Sequence, residues 1–379
     1  MYVLSKGSRV QGFGGRGSVL IGVLVILFLM SVVVMKFMKE ATREIEYQSQ
    51  FQGQEDLRSQ AYCIFDAAMA TLHEIREIDG QLYRSVQGWG DPLGYSKLPV
   101  PEGIKATVTI SDESGKLPIN HNNVQVWNLL FEEMGIDLSE AEILTDSLID
   151  WMDQDDLKRL NGAEKDDYEL EGHEYNPPNE ILKDFDELRL IEGFDEKFFN
   201  EDGSPNQYHQ YFTQSVSLHN QHPVNVNAAQ GLVLNVLARM GGFDSEYLMQ
   251  HLRGPDNEPG TGDDPWVSNT SQIPGFGAGL TPGGGSPPSN LFGSTSQMFR
   301  IEVKASRGES VFLIDTLVGP KGSSGSSSSA NNRNSSDNKR NPAIRVRRPV
   351  TSGSKSGRST SGSSYYPFDV IFISENRIF

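Results

Sequence analysis

Ser18 to Met35 is an apolar run of 18 residues without a charge. At helical rise it covers about 27 Å, close to the hydrocarbon thickness of a bilayer. Lys6, Arg9 and Arg16 precede it, and the first acid of the chain is Glu40. The positive-inside rule keeps the N-terminus cytoplasmic and translocates the chain beyond residue 36. After a polar stretch at 39–60, Ala61, Ile64, Phe65, Ala68, Leu72 and Ile75 recur at spacings of three and four, a stripe that faces a core. One long helix over about 18–78 is expected, its first half in lipid, its second on a sheet, and Gly80 as its stop.

Further along, the period changes. Ile104, Ala106, Val108 and Ile110 alternate with polar residues and predict a half-buried strand. Asp112 to Asn120 (DESGKLPIN) predicts a turn and a second extended piece. Strand patterns return at 299–304, 311–318 and 368–373, and the pattern between 120 and 295 is mainly helical. The fold class expected is α+β: a long N-terminal helix on a small antiparallel sheet, with a large α-helical domain inserted between strands. Residues 254–296, rich in Gly and Pro, are expected to be flexible. The Ser/Gly/Asn/Arg tract at 321–364 is expected to be disordered, because it cannot bury enough apolar surface.

Composition narrows the function. The formal net charge is −17, which argues against binding nucleic acid phosphates. Residues 131–202 hold 25 of the 50 acids, which reads either as a solvated surface or as a cation site. Cys63 is the one cysteine, so no intramolecular disulfide is possible, and its apolar setting predicts a buried small hydrophobe. Seven histidines are scattered without metalloprotease, nucleophile-elbow or P-loop spacing, so no enzyme is expected. Leu232 to Met240 after Val224–Ala228 is similar to a helix-hairpin-helix module. Arg239 is the one basic residue near that hairpin, so the module is expected to be structural.

The N-terminus resembles the leader of type IV pilins and type II secretion pseudopilins. Gly17 stands after Arg16 and directly before the apolar run. The resemblance implies that a prepilin peptidase cuts between Gly17 and Ser18; the alternative is an uncleaved signal anchor. Those families mostly carry Glu at the fifth mature position, which here is Gly22. The minor K pseudopilins typically lack that glutamate.

Five further segments resemble the minor pseudopilin K family of type II secretion. They are Asp112–Asn120, Leu148–Asp156 (LIDWMDQDD), Asn161–Tyr168 (NGAEKDDY), Pro178–Asn179 with Asp186–Phe194 (DELRLIEGF), and Val224–Ala228 (VNVNA). They stand in the family's order. The resemblance implies a leader at 1–17, a transmembrane helix at 18–36, and a pilin-like domain at 37–118 and 296–379. A helical domain at 119–295 is inserted into it. It implies a tip subunit of the pseudopilus, in the bacterial inner membrane with its bulk in the periplasm. There it initiates assembly and helps export folded proteins across the outer membrane. The partners implied are I- and J-type minor pseudopilins, the major pseudopilin and the prepilin peptidase. A minor pilin of a type IV pilus or a DNA-uptake pseudopilus is the alternative.

The acids also suggest chemistry. Calcium takes six to eight hard oxygen ligands, and crowded carboxylates favour a cation between them. The K resemblance implies calcium in the helical domain. Asp153, Asp155, Asp156, Glu164 and Asp167 are the expected ligands, and Asp150 is expected to face the core or cap a helix. A second candidate loop, Gly254–Asp264, offers Asp256, Glu258, Asp263 and Asp264, which read equally as a mobile polar loop.

Overall fold

The computed structural model describes residues 16–277, 286–320 and 368–376, with side chains in the first helix at 20–45 and from 53 onward. The basic leader before residue 16 and the 321–364 tract lie outside the described residues.

Helix α1 (Arg16–Asp79) is one continuous helix that stops at Gly80, whose φ of +77° suits glycine. Leu20 to Met38 expose large apolar side chains, among them Phe28 and Phe37. Leu57, Ala61, Ile64, Phe65, Ala68, Leu72 and Ile75 are buried, so the expected stripe does face a core. Cys63 is exposed, contrary to expectation. It lies two residues from Ala61, about 200° around the helix, which puts it opposite the buried stripe.

A short α2 (Pro92–Ser96) leads to strand β1 (Lys105–Asp112) and the two-residue β2 (Leu117–Pro118). The helical insertion then runs through α3 (Val124–Glu133), α4 (Leu138–Met152), α5 (Lys165–Glu171), α6 (Phe194–Phe198) and α7 (Gln207–Ser215). Two-residue strands β3 (Val216–Ser217) and β4 (Val224–Asn225) precede α8 (Gly231–Gly241) and α9 (Ser245–Leu252). The chain closes with β5 (Phe292–Gly293), β6 (Phe299–Arg307), β7 (Ser310–Pro320) and β8 (Phe368–Glu375).

The main sheet has the order β1-β6-β7-β8, all antiparallel. Asp112 pairs with Phe299, so β1 and β6 are neighbours although residues 113–298 separate them in sequence. Phe299, Ile301, Val303 and Ala305 alternate inward along β6 and meet the α1 stripe. The α+β arrangement read from the sequence is therefore the one observed. A second core fills the insertion, where Phe131, Phe194, Phe198 and Phe212 pack edge-to-face and stacked at 4.8–6.3 Å.

Two of the motifs join the halves. The Asn225 amide donates to Asp112 Oδ2 (2.8 Å), the Tyr83 carbonyl (2.9 Å) and Ser296 Oγ (3.0 Å). Asn227 donates to the carbonyls of Val267 (2.9 Å) and Ser294 (2.8 Å), and accepts from the Val267 amide (2.7 Å). Gly115 lies so close to Ala228 that a Cβ there would sit 2.7 Å from the Ala228 backbone. The expectation of flexibility across 254–296 is corrected at its described ends. Val267, Ile273, Leu291 and Phe292 are buried in the insertion core, and Asn227 supplies backbone partners that the composition did not reveal. The helix-hairpin-helix resemblance corresponds to α8, a turn at Gly242 with φ +66°, and α9. Arg239 there pairs with Glu132 (2.9 Å) and Glu133 (3.2 Å) of α3.

Candidate metal centre

The C-terminus of α4 brings carboxylates together. Asp150 lies in its last turn and Asp153 caps it, with the Asp153 amide bonded to Ile149 O at 2.8 Å. Spacing of three puts both on one face. The negative end of the helix dipole disfavours anions there, and the last turn holds no basic residue. The loop after α4 returns Glu164, the N-cap of α5, to the same place.

Burial makes this costly. Asp150 is 0% exposed and Glu164 is 4% exposed. Neither Glu164 oxygen, nor Asp150 Oδ1, nor Asp153 Oδ1 has a well-formed hydrogen bond. Burial raises the Glu164 carboxyl to about 7, helped by the charges of Asp150, Asp153 and Asp156; the Lys165 amide opposes this weakly. Burial likewise raises Asp150 to about 6 against the bond it accepts from the Arg159 amide. Asp153 is raised by burial and by the charge of Asp155. A buried carboxylate left without donors is what a cation would satisfy.

The loop is shaped to allow the approach. A Cβ on Gly162 would lie 2.0 Å from Asp150 Oδ2 and 2.8 Å from its Cγ, so this glycine yields the space the carboxylate fills. Asp150 Oδ2 accepts from the Arg159 amide at 3.0 Å, and Arg159 Nε lies 3.4 Å from Oδ1. Trp151 and Tyr168 pack edge-to-face at 5.7 Å beside these acids in sequence.

The other expected ligands are placed differently. Asp155 is exposed and accepts from the Leu157 amide at 2.9 Å. Asp156 is exposed and accepts from Asn179 Nδ2 at 3.2 Å. Asp167 holds Lys158 at 2.7 Å and receives the Glu164 amide at 3.0 Å, so its carboxylate is committed. Asp150 does face the core, yet its carboxylate belongs to this cluster. Its spacing of three from Asp153 at a helix end is the signal that would have found it. Nothing in the sequence singled out Gly162 or Arg159.

In the second loop, oxygens of Asp256, Asp263 and Asp264 lie within 4.8 Å of one another; Glu258 is not in that group, and among the described residues the acids of α4 and α5 form no group of three that close. Arg84 already sits 3.1 Å from Asp264, whose side chain is fully buried.

Residues 107–201, from β1 through α6 and including the acids of α4 and α5, match the family model for type II secretion system protein K. That span is similar to protein K of the type II secretion system. The chain is 29% identical over 197 residues to the type II secretion system protein K of Klebsiella pneumoniae, covering 48% of this chain and 58% of that protein. It is 27% identical over 209 residues to the Pectobacterium carotovorum protein of the same description, 48% of this chain and 60% of that one. The Pseudomonas aeruginosa protein is 28% identical over 173 residues, covering 43% and 48%. The matched stretches thus span about half to three fifths of these relatives. A chain of the GspK-GspI-GspJ complex from the enterotoxigenic Escherichia coli type 2 secretion system aligns with a TM-score of 0.48 and 14% identity. That alignment covers 72% of this chain and 95% of the other. Four of the five sequence segments that suggested the resemblance lie inside the matched span, and the fifth, VNVNA, docks on it through Gly115.

Proposed function

We propose that the chain is a minor pseudopilin of the K type, seated at the tip of a type II secretion pseudopilus. In this reading it joins I- and J-type minor pseudopilins, the major pseudopilin lies beneath, and folded cargo leaves across the outer membrane. The helix is anchored in the inner membrane and the body lies in the periplasm. The observation that carries the reading is a span similar to the protein K family on the same chain as α1. That helix presents bare apolar residues from Leu20 to Met38 and then enters a packed body without a break. Such a helix sits in lipid, and leaves it only where other helices cover it.

The role is structural and requires no catalysis. Burial lowers the pKa of His121, and partial burial that of His209 and His222, which suits neutral groups. Deleting the gene in the source bacterium should leave type II cargo in the periplasm, and the full chain should restore export. Normal secretion, with loss of pilus motility or DNA uptake instead, would favour the pilus or uptake alternative.

Calcium is part of the same proposal. Support comes from hard oxygens without a well-formed hydrogen bond on Asp150, Asp153 and Glu164, with Asp156 and Asp155 on the exposed side. Bound there, it would neutralise buried charge and tie the end of α4 to the start of α5. Asp256, Asp263 and Asp264 form a second candidate, where Arg84 already supplies a positive charge. Calorimetric titration of the chelator-treated full chain in detergent tests the idea; no heat and no thermal shift would sink it.

A further inference from the structure

The C-terminal end of α5, away from Glu164, borders a surface cavity of about 340 Å³ outside the sites described so far. Part of its lining is aromatic. The rings of Tyr168 and Tyr175 are 5.8 Å apart, and His173 lies 5.7 Å from the first and 4.9 Å from the second. Trp151 packs against both tyrosines, at 5.7 and 6.3 Å. The lining also holds four acids: Glu171 at the end of α5, Glu192 in the loop before α6, and Asp195 and Glu196 in α6. His173 Nε2 lies 3.4 Å from Glu171 Oε2. Arg189 is the one permanent cation of the lining. Its guanidinium sits 4.3 Å from the centre of the Phe199 ring and donates to the Gly203 carbonyl, so residues that do not line the cavity already engage it. Burial raises the Glu192 carboxyl, and the charge of Glu171 and a hydrogen bond between the two carboxyls raise it further. The Tyr175 phenol is raised by burial and then by the charges of Asp195, Glu192 and Glu171.

We propose that this cavity docks an exposed arginine of a partner protein, with the guanidinium stacked on the tyrosine rings and its N–H groups shared by Glu171 and Glu192. A hard metal ion fits poorly. Calcium needs six to eight oxygens, ring faces supply none, and among the described residues no three of these acids and His173 converge closely enough to hold an ion. A guanidinium uses both halves of the lining at once. Its flat face is attracted to an aromatic ring, and its in-plane N–H groups match carboxylates. A proton now relieves the crowding of Glu171 and Glu192, and a guanidinium would relieve it without one. The volume is at the small end of ligand sites, which suits one long side chain entering from a protein surface. The cavity needs no metal at α4, so it stands apart from the calcium reading above.

Ligand-detected NMR on the full chain in dodecylmaltoside tests this, with acetyl-Gly-Arg-Gly-amide and its lysine and citrulline counterparts as probes. Saturating tyrosine ring protons should transfer signal to the arginine δ-methylene. The citrulline peptide keeps the shape without the charge and should bind about tenfold more weakly. The lysine peptide keeps the charge without the flat face and should bind about threefold more weakly. Glu171→Gln should weaken the arginine peptide about fivefold, and Tyr175→Leu about as much, fivefold. Glu171 is exposed, so its variant keeps the test readable even where Tyr175→Leu does not fold. Equal binding of the arginine and citrulline peptides, or unchanged affinity in Glu171→Gln, overturns the proposal. So does displacement of the peptide by calcium at about 1 mM and matched ionic strength, which would make the acids a metal centre. Binding that emerges only when residues 321–364 are deleted would make this chain's own arginines the occupant, and overturns the partner. A wild type without transfer overturns the docking site and leaves the pseudopilin reading standing.

Discussion

Asn225 Nδ2 donates to Asp112 Oδ2 at 2.8 Å, across 113 positions of sequence. The bond joins the last residue of β1 to β4 of the insertion. The same amide reaches the Tyr83 carbonyl just after α1, and Ser296 just before β6. One side chain thus ties together the exit from the helix, both borders of the insertion and the insertion itself.

Replacing Asn225 with Ala should therefore cost far more than a surface change. Asp112 Oδ2, Tyr83 O and the Asn227 amide would each lose a partner. We expect a loss of about 2–4 kcal/mol, read as a lower denaturation midpoint in urea. A variant within about 0.5 kcal/mol of wild type, the scatter for surface changes, would show that this junction carries little.

The Asp112 carboxyl itself titrates in a set direction. Burial raises it above the usual carboxylate value, and the bonds from Ser296, Asn225 and Ser114 only partly oppose this. A carboxyl raised on folding contributes its full stability below its unfolded value, near pH 4, and loses it as pH climbs through the folded value. Asp112→Asn cannot ionise. Whatever constant loss it suffers from a poorer bond pattern, its stability relative to wild type should improve from about pH 4 to about pH 8. Thermal midpoints at both pH values check the slope, and parallel curves would contradict it.

How much of this is legible in the sequence depends on where the information sits. The α1 stripe and the alternation of β1 and β6 are local periodicities, so a single sequence displays them. Cys63 reads as buried from its apolar neighbourhood, and only its angle around the helix shows otherwise. The acids around Asp153 are visible as a crowd, but composition cannot say which oxygens end up without donors. That depends on the close approach at Gly162 and on Lys158 capturing Asp167. The Val267 segment looks loose because its order comes from Asn227, 40 residues away.

The leader gives a prediction independent of the body. If the chain is processed like a pilin, the residue before the cut must be small. Gly17→Trp should leave the chain at precursor length in cells that contain a prepilin peptidase, while wild type shortens. The immunoblot is decisive on one point: a mature-length band from the variant contradicts cleavage between Gly17 and Ser18.

Glu164 gives the sharpest contrast, because one substitution should have opposite effects with and without calcium. Its carboxylate is buried, lacks a well-formed hydrogen bond, and faces the charges of Asp150, Asp153 and Asp156. Glu164→Gln removes the charge and keeps the volume. Without metal, that relieves repulsion in a buried site, so the variant should unfold at a higher temperature than wild type near pH 8, where Glu164 is mostly ionised. With calcium present, wild type should gain stability by mass action on its bound ion, and the variant should gain much less. The two melting curves should therefore exchange order when calcium replaces chelator. A merely structural glutamate would lose stability in both conditions, and a solvated one would change in neither. The exchange of order thus separates a cation ligand from both.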